Sequence, residues 1–185
     1  HLRQLRTLAA SEAKLGALPP ELCGLSSLTC LDVSSNELKA LPEQLGGLSS
    51  LRSLQAYKNL LTALPESIGD LASLRELNLF NNKVLKLPAS MGKLRRLREV
   101  NLAANKLMQI TGESVQGWRR LEVLTLYDNR LLLVPSLEHM GRLRSLNLSG
   151  NNLQEMPAIG VAGLPCLEAL EVHKNRISEV PEGYF

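Results

Sequence analysis

Few side chains in this sequence have the types and spacings that catalyse reactions or bind metal ions. His139 and His173 lie in different segments, and neither has a second ligand at a metal-binding spacing. We recognise no serine–histidine–aspartate set, no glycine-rich phosphate loop and no pair of carboxylates placed for a cleft. The sequence therefore predicts a protein that is not an enzyme and has no catalytic residues, metal site or cofactor.

Aromatic residues supply the main indication of a binding function. Three of them, Tyr57, Phe80 and Tyr127, fall at the same position of a repeated pattern and form what we call the aromatic column. Exposed aromatic side chains on a rigid surface are typical hot spots of protein interfaces. We expect polar residues at neighbouring positions to add contacts with the partner: Lys58, Asn81 and Asp128, together with Asn78 and Asn101. The alternative stays open that the rings only stack on each other across adjacent strands.

An internal repeat defines the elements that would position these residues. The segments LTCLDVSSNELKALPEQLGGLSS, LRSLQAYKNLLTALPESIGDLAS and LRELNLFNNKVLKLPASMGKLRR begin at residues 28, 51 and 74, so the step is 23 residues. The shared pattern is L-x-x-L-x-L-x-x-N-x-L-x-x-L-P, which resembles that of leucine-rich repeat proteins. Copies start near residues 5, 28, 51, 74, 97, 121, 143 and 167. We interpret residues 1–185 as a single array of about eight copies, with both ends truncated or uncapped.

Each repeated position has a physical reason. Alternating leucine and polar residues predict a short strand with one buried face, and stacked copies would form a parallel sheet. The asparagine that follows each strand can bond the turns of adjacent copies through its amide. Leu-Pro then starts a short return, because proline fixes φ. Where Ile110-Thr111 replaces Leu-Pro, we expect a looser convex segment. The predicted fold is an α/β solenoid, a horseshoe with a concave parallel sheet and short helical or irregular convex returns.

Side chains that alternate with the strand leucines should point out of the concave face. The third such residue of each copy is Ser11, Ser34, Tyr57, Phe80, Ala103, Tyr127, Ser149 or His173. Trp118 stands where other copies have a convex leucine, and we expect it to pack between copies rather than bind a ligand.

Charge argues against nucleic acid as the partner. The net charge of +3 is small, and a nucleic-acid footprint would be an unopposed basic stripe. Glutamates interrupt or flank the column formed by Arg6, Arg52, Arg75, Arg98 and Arg144. The best candidate for contact with an acidic partner is the cluster of Lys93, Arg95, Arg96, Arg98, Arg119 and Arg120.

Cysteine usage and hydropathy indicate the compartment. Cys23, Cys30 and Cys166 are odd in number and form no disulfide framework, whereas extracellular proteins of this kind usually carry disulfide-stapled caps. We expect Cys30 to be a small surface residue rather than a reactive thiol. No apolar run approaches the ~18 residues of a membrane span. These observations predict a cytoplasmic, intracellular protein that does not insert into membranes.

The returns PEQLGGL, PESIGDL and PASMGKL resemble those of the intracellular 23-residue class of leucine-rich repeat proteins. That class includes Ras-binding and Ras-suppressor proteins, plant intracellular Ras-group proteins and Scribble-type scaffolds. The resemblance covers nearly the whole chain, but the shared residues are structural and say little about function. It implies a non-catalytic signalling scaffold or adaptor that binds a protein partner of unknown identity through its concave face.

Two alternatives to the adaptor remain open. The chain could be a structural subunit of a large ciliary or cytoskeletal assembly, or the recognition domain of a larger signalling enzyme. In both cases it would belong to a larger chain or complex.

Overall fold

Eight short strands form one parallel sheet in which the strand order follows the chain. The structure is a computed structural model and describes residues 2–158 and 164–184. Each strand has three residues and begins two residues after the leucine that opens its copy. The strands are β1 (Thr7–Ala9), β2 (Cys30–Asp32), β3 (Ser53–Gln55), β4 (Glu76–Asn78), β5 (Glu99–Asn101), β6 (Val123–Thr125), β7 (Ser145–Asn147) and β8 (Ala169–Glu171).

Equivalent residues of successive copies lie side by side. The central residue of each strand pairs with the central residue of the next, as Leu54 pairs with Leu77 and Leu77 with Val100. From Leu31 to Leu146 these central side chains are at most 2% exposed. The core is therefore a continuous stack of aliphatic side chains behind the sheet, and the predicted α/β solenoid with a concave parallel sheet is confirmed.

Short 3-10 helices form several of the convex returns: Pro20–Gly24, Leu45–Gly47, Glu66–Asp70 and Ala89–Lys93. Pro19, Pro65 and Pro88 precede three of them in extended conformation, with φ between −69° and −67°. A proline at this point fixes φ and has no N–H that would be left unpaired. The Leu-Pro motif thus marks where each of these returns begins.

The return after Ile110 contradicts the sequence-based expectation. We expected a looser segment there, but residues Gly112–Val115 form α1, the one α-helix of the described chain. The Thr111 side chain accepts a hydrogen bond from the Ser114 backbone N–H at 3.3 Å, and the Ser114 hydroxyl donates to the Thr111 carbonyl at 2.8 Å. Threonine is a favourable N-cap residue, so it starts this return where other copies use proline.

Successive returns approach each other so closely that side chains would not fit between them. A Cβ atom on Gly92 would collide with the Glu113 carbonyl oxygen, and one on Gly117 with the Gly92 carbonyl oxygen. Beside them Trp118 is fully buried, and its indole N–H donates to the Met91 carbonyl at 3.0 Å. The expectation that Trp118 packs between copies is confirmed.

A column of asparagines, which we call the asparagine ladder, joins the turns after the strands. All of its members are buried except Asn175, which is half-buried. Its members are Asn36, Asn59, Asn82, Asn105, Asn129, Asn151 and Asn175. Asn82 shows the pattern: Oδ1 accepts from the Leu61 N–H at 3.0 Å, while Nδ2 donates to the carbonyls of Ala56 at 3.0 Å and Leu79 at 3.1 Å. One side chain therefore bonds its own turn and the preceding copy, and the structural interpretation of these asparagines is confirmed.

The residue before each ladder asparagine adopts left-handed backbone conformation. These residues are Ser35, Lys58, Asn81, Ala104, Asp128, Gly150 and Lys174, with φ between 51° and 63°. Asparagine, aspartate and glycine tolerate this region, whereas lysine and alanine rarely adopt it. The surrounding ladder bonds hold the backbone there even where the residue type disfavours it.

We predict that Asn82→Ala lowers the free energy of unfolding by about 3 kcal/mol, because each buried polar group left without a partner costs about 1–3 kcal/mol. Chemical denaturation followed by circular dichroism would measure the change. Asn152→Ala is the matched control, since this half-buried side chain makes no hydrogen bond to the described residues. Equal effects of the two substitutions would contradict the structural role of the ladder.

Candidate partner-binding surface

The concave face presents a shallow polar groove across β3 to β6. The groove has a volume of about 180 Å³, and the polar side chains that line it are Gln55, Glu76, Asn78, Glu99, Asn101 and Thr125. All of them are exposed or half-buried, because they flank the buried central residues of the strands. The regular register places equivalent side chains in rows perpendicular to the strands, so a partner would meet an ordered polar surface.

Two members of the aromatic column contact each other over an intervening strand. The ring centroids of Phe80 and Tyr127 lie 6.2 Å apart with an interplanar angle of 48°. Their copies are two strands apart, or about 10 Å at the usual strand spacing, so the rings lean toward each other. The residue between them, Ala103, is 0% exposed. The rings of this pair therefore do contact each other, but they are tilted and two strands apart rather than stacked across adjacent strands, and both are half-buried.

Three residues that were expected to point out of the concave face are buried. Ala103 lies between the aromatic pair, while Ser34 and Ser149 are 0% and 4% exposed. The Ser34 hydroxyl donates to Asp32 Oδ1 at 2.6 Å, and the Ser149 hydroxyl lies 2.9 Å from His173 Nδ1. The expectation was wrong at these positions because small side chains lie below their larger neighbours. Half-buried Tyr57 has no ring contact among the described residues.

Asn78 and Asn101 have a local structural role that the sequence analysis missed. Asn78 Oδ1 accepts from the Phe80 N–H at 3.1 Å, and Asn101 Oδ1 accepts from the Ala103 N–H at 3.0 Å. These bonds hold the backbone that leads to the aromatic column. Neither Nδ2 group has a partner among the described residues, so both amides can still donate to a bound molecule.

Lys58, Asn81 and Asp128 are all exposed at the end of the concave face. They occupy the left-handed position before the ladder, and neither Lys58 nor Asp128 forms an ion pair with any described residue. The structure places all three beside the aromatic column. Their contact with a partner, like that of the column itself, stays a prediction.

Glu76 and Glu99 form a like-charged pair that the sequence analysis did not recognise as a feature. They are directly paired in the register of β4 and β5, and both are exposed. Like charges opposite each other on neighbouring strands are destabilising, and neither carboxylate has an ion-pair partner in the described chain. The recurrence of Arg-Glu at the same position of two successive copies was the signal that could have revealed the pair.

The predicted basic cluster does come together. Lys93, Arg95, Arg96, Arg98, Arg119 and Arg120 line one open groove, which we call the basic groove, and Arg75 joins them. Within the arginine column, Arg98 pairs with Glu122 at 4.0 Å and Arg144 with Glu168 at 3.3 Å. Arg6, Arg52 and Arg75 have no ion pair with a described residue, so glutamates compensate the column only in part.

An exposed row of apolar residues escaped the sequence analysis. Leu85, Met108, Leu132 and Leu133 are 49–62% exposed, and we call them the apolar ridge. The first three occupy one position, between the ladder asparagine and the start of the return, where other copies have Lys39, Thr62, Gln154 and Ser178. Comparing the copies position by position would have revealed this change from polar to apolar.

The cysteines and histidines form no assembled site in the described chain. All three cysteines are free: Cys23 is buried, Cys30 half-buried and Cys166 exposed. Burial raises the pKa of the Cys23 thiol. His139 Nε2 lies 2.8 Å from the Val115 carbonyl oxygen, a structural contact. Among the described residues, no three His, Cys, Asp or Glu side chains are grouped to hold a metal, and no helix has the length and apolarity to cross a membrane.

Comparison with known families decides what the repeated structure is. A family model described as a leucine-rich repeat region matches residues 1–129, and a leucine-rich repeat model matches residues 142–164. The chain belongs to the leucine-rich repeat family. Leucine-rich repeat domains commonly mediate protein–protein interactions and are typically not enzymes. The comparison with curated proteins finds no match.

Solved structures of leucine-rich repeat proteins from bacteria and plants resemble this chain. A leucine-rich repeat protein of Leptospira interrogans is 34% identical with a TM-score of 0.92, over 98% of this chain and 46% of that one. Plant peptide hormone receptor RGFR1, in complex with RGF2, is 30% identical with a TM-score of 0.83, over 94% and 29%.

The ectodomain of the Arabidopsis thaliana membrane receptor kinase GASSHO1/SCHENGEN3, in complex with CASPARIAN STRIP INTEGRITY FACTOR 2, is 28% identical with a TM-score of 0.69, over 91% of this chain and 24% of that one. This leucine-rich repeat chain thus spans less than half the length of each of these three.

We predict that Phe80 and Tyr127 support each other in the folded protein. A double-mutant cycle with Phe80→Ala and Tyr127→Ala should give a coupling free energy of about 0.5–1.5 kcal/mol, as for other aromatic pairs. The control cycle pairs Tyr57→Ala with Tyr127→Ala, whose strands are three positions apart, and should be additive. Additivity in the first cycle would show that the rings are independent.

Proposed function

We propose that this chain is a non-catalytic protein-interaction module, a scaffold or adaptor in signalling that binds a protein partner through its concave face. A single array of eight copies would act as one rigid platform. The observation that carries the proposal is the half-buried aromatic column beside the polar groove of β3 to β6. Aromatic side chains on a preformed surface contribute binding energy with little loss of conformational entropy.

The groove also suggests the chemistry of the partner surface. Glu76 and Glu99 repel each other, and a lysine or arginine of the partner placed between them would relieve that repulsion. The amide groups of Asn78 and Asn101 could donate to its backbone carbonyls. An apolar side chain of the partner would pack on the Phe80–Tyr127 pair. Lys58, Asn81 and Asp128 would make contacts at the rim, where charges affect association rate more than affinity.

We predict that replacing Tyr57, Phe80 and Tyr127 together by alanine weakens partner binding at least about tenfold, since a hot-spot residue contributes about 2 kcal/mol or more. Affinity purification from cells with mass spectrometry would identify the partner, and titration with the purified partner would measure the change. The control variant combines Gln44→Ala and Gln109→Ala, two exposed uncharged residues outside the concave face. Circular dichroism would establish that both variants are folded. Unchanged binding by the triple variant would reject the concave face as the interface.

The apolar ridge favours a second candidate function, that of a permanent structural subunit. Exposed apolar surface across adjacent copies is typical of surfaces that another protein covers, as in a large ciliary or cytoskeletal assembly. In the same experiment, Leu85→Ser with Met108→Ser would then abolish recovery of the partner, whereas the aromatic variant would retain it. A third candidate, the recognition domain of a larger signalling enzyme, agrees with the greater length of the solved relatives.

We further propose a cytoplasmic location and kinship with the intracellular 23-residue class. The three free cysteines support this proposal, because disulfides persist in oxidising compartments and are rare in the cytosol. We predict that cells quenched with acid, then denatured and alkylated at neutral pH, show Cys23, Cys30 and Cys166 reduced by mass spectrometry. An intermolecular disulfide at exposed Cys166 would contradict a reducing location.

A further inference from the structure

The basic groove lies at the edge of the sheet where the convex returns lead into the strands. Arg95 and Arg96 connect the 3-10 helix Ala89–Lys93 to β5, and Arg119 and Arg120 connect α1 to β6. These four side chains are all exposed. The groove is therefore separate from the aromatic column, which lies beyond the opposite ends of the same strands.

The fold does not require arginine at these turns. Arg95 N–H donates to the Lys93 carbonyl at 2.9 Å and Arg119 N–H to the Gly117 carbonyl at 2.8 Å. Earlier copies make the same turn with small uncharged residues, since Ser26 and Ser49 donate to Gly24 and Gly47, each at 2.9 Å. Arg95-Arg96 and Arg119-Arg120 thus occupy turn positions that Ser-Ser fills in earlier copies with the same backbone structure.

Most of the positive charge in the groove is unbalanced. Lys93 pairs with Asp70 at 3.5 Å and Arg98 with Glu122 at 4.0 Å, both as exposed pairs. Arg95, Arg96, Arg119 and Arg120 form no ion pair with any described residue, and no carboxylate is among the residues that line the groove. Adjacent guanidinium groups repel each other, and a bound anion would remove that repulsion.

The size and lining of the groove indicate the kind of anion. Its volume of about 1200 Å³ exceeds the roughly 300–1,000 Å³ of a small-molecule pocket, and its open shape suits a segment of chain rather than one ion. No aromatic side chain lines the described groove, whereas proteins that bind single-stranded nucleic acid stack bases on aromatic rings.

We propose that the basic groove binds an acidic, carboxylate-rich segment of a protein partner. Arginine forks form two parallel hydrogen bonds to a carboxylate, and two Arg-Arg pairs on neighbouring copies can engage successive acidic side chains of an extended peptide. The groove is a second binding surface, independent of the concave face. The basic groove recognises the pattern of negative charges on the partner, whereas the aromatic column recognises the shape of the partner surface.

The test uses a fluorescein-labelled oligoglutamate peptide and fluorescence anisotropy. Replacement of Arg95, Arg96, Arg119 and Arg120 by serine should weaken peptide binding at least about tenfold, since each exposed charge contact is modest but four are removed together. The matched control replaces Arg3, Arg6, Arg52 and Arg130 by serine, which removes the same charge from exposed positions outside the groove. It should keep nearly all of the affinity. Binding by the unmodified protein should disappear near about 1 M salt, where the Debye length is about 3 Å.

Several results would overturn the proposal. Failure of the unmodified protein to bind the peptide, or equal loss in the control variant, would show that no groove-specific site exists. Tighter binding of oligothymidylate would indicate a nucleic-acid site, and tighter binding of phosphatidylserine vesicles a membrane-surface site. If the quadruple variant does not fold, Arg119→Ser with Arg120→Ser takes its place, and unchanged affinity in that variant equally rejects the proposal.

Discussion

The hydrogen bonds of the buried asparagine side chains constrain everything else in this structure. Where the chain leaves each strand, its backbone groups are buried and need partners. Asn105 supplies them on both sides, accepting from Val84 N–H at 3.0 Å and donating to the carbonyls of Leu79 at 2.9 Å and Leu102 at 3.1 Å. Because the same amide bonds its own turn and the preceding copy, the strands cannot slip in register. The ordered rows of surface side chains follow from that fixed register.

These rows concentrate different chemistry on one central part of the array. Copies that contain β4 to β6 carry the aromatic pair and most of the polar groove on the concave face, the basic groove at one edge and the apolar ridge near the other. A copy in the middle is supported on both sides, so it tolerates unfavourable groupings such as Glu76 beside Glu99. The stability of the array therefore offsets unfavourable surface groupings that would unfold a single copy.

The repeated pattern was sufficient to predict the fold but only part of the surface. Leucine spacing and the asparagine position define the strands, the register and the buried face, because these depend on period alone. The helix Gly112–Val115 was missed, since it begins with a side-chain cap at Thr111 in place of the Leu-Pro motif. The burial of Ala103 depends on how two rings two strands apart orient, and no local pattern encodes that. The sequence predicted that the basic cluster comes together. The structure was needed to show which of its arginines form no ion pair.

The position of the single tryptophan affects how unfolding of this protein is observed. Trp118 is enclosed between neighbouring copies in the interior of the array, hydrogen-bonded to Met91 and inaccessible to solvent. In a stack where each copy contacts only its neighbours, terminal copies can fray while the centre remains intact. The fluorescence of Trp118 would then stay constant while the terminal copies unfold, although circular dichroism would already record a loss of structure. The gap between the two signals would measure how far cooperativity extends along the solenoid.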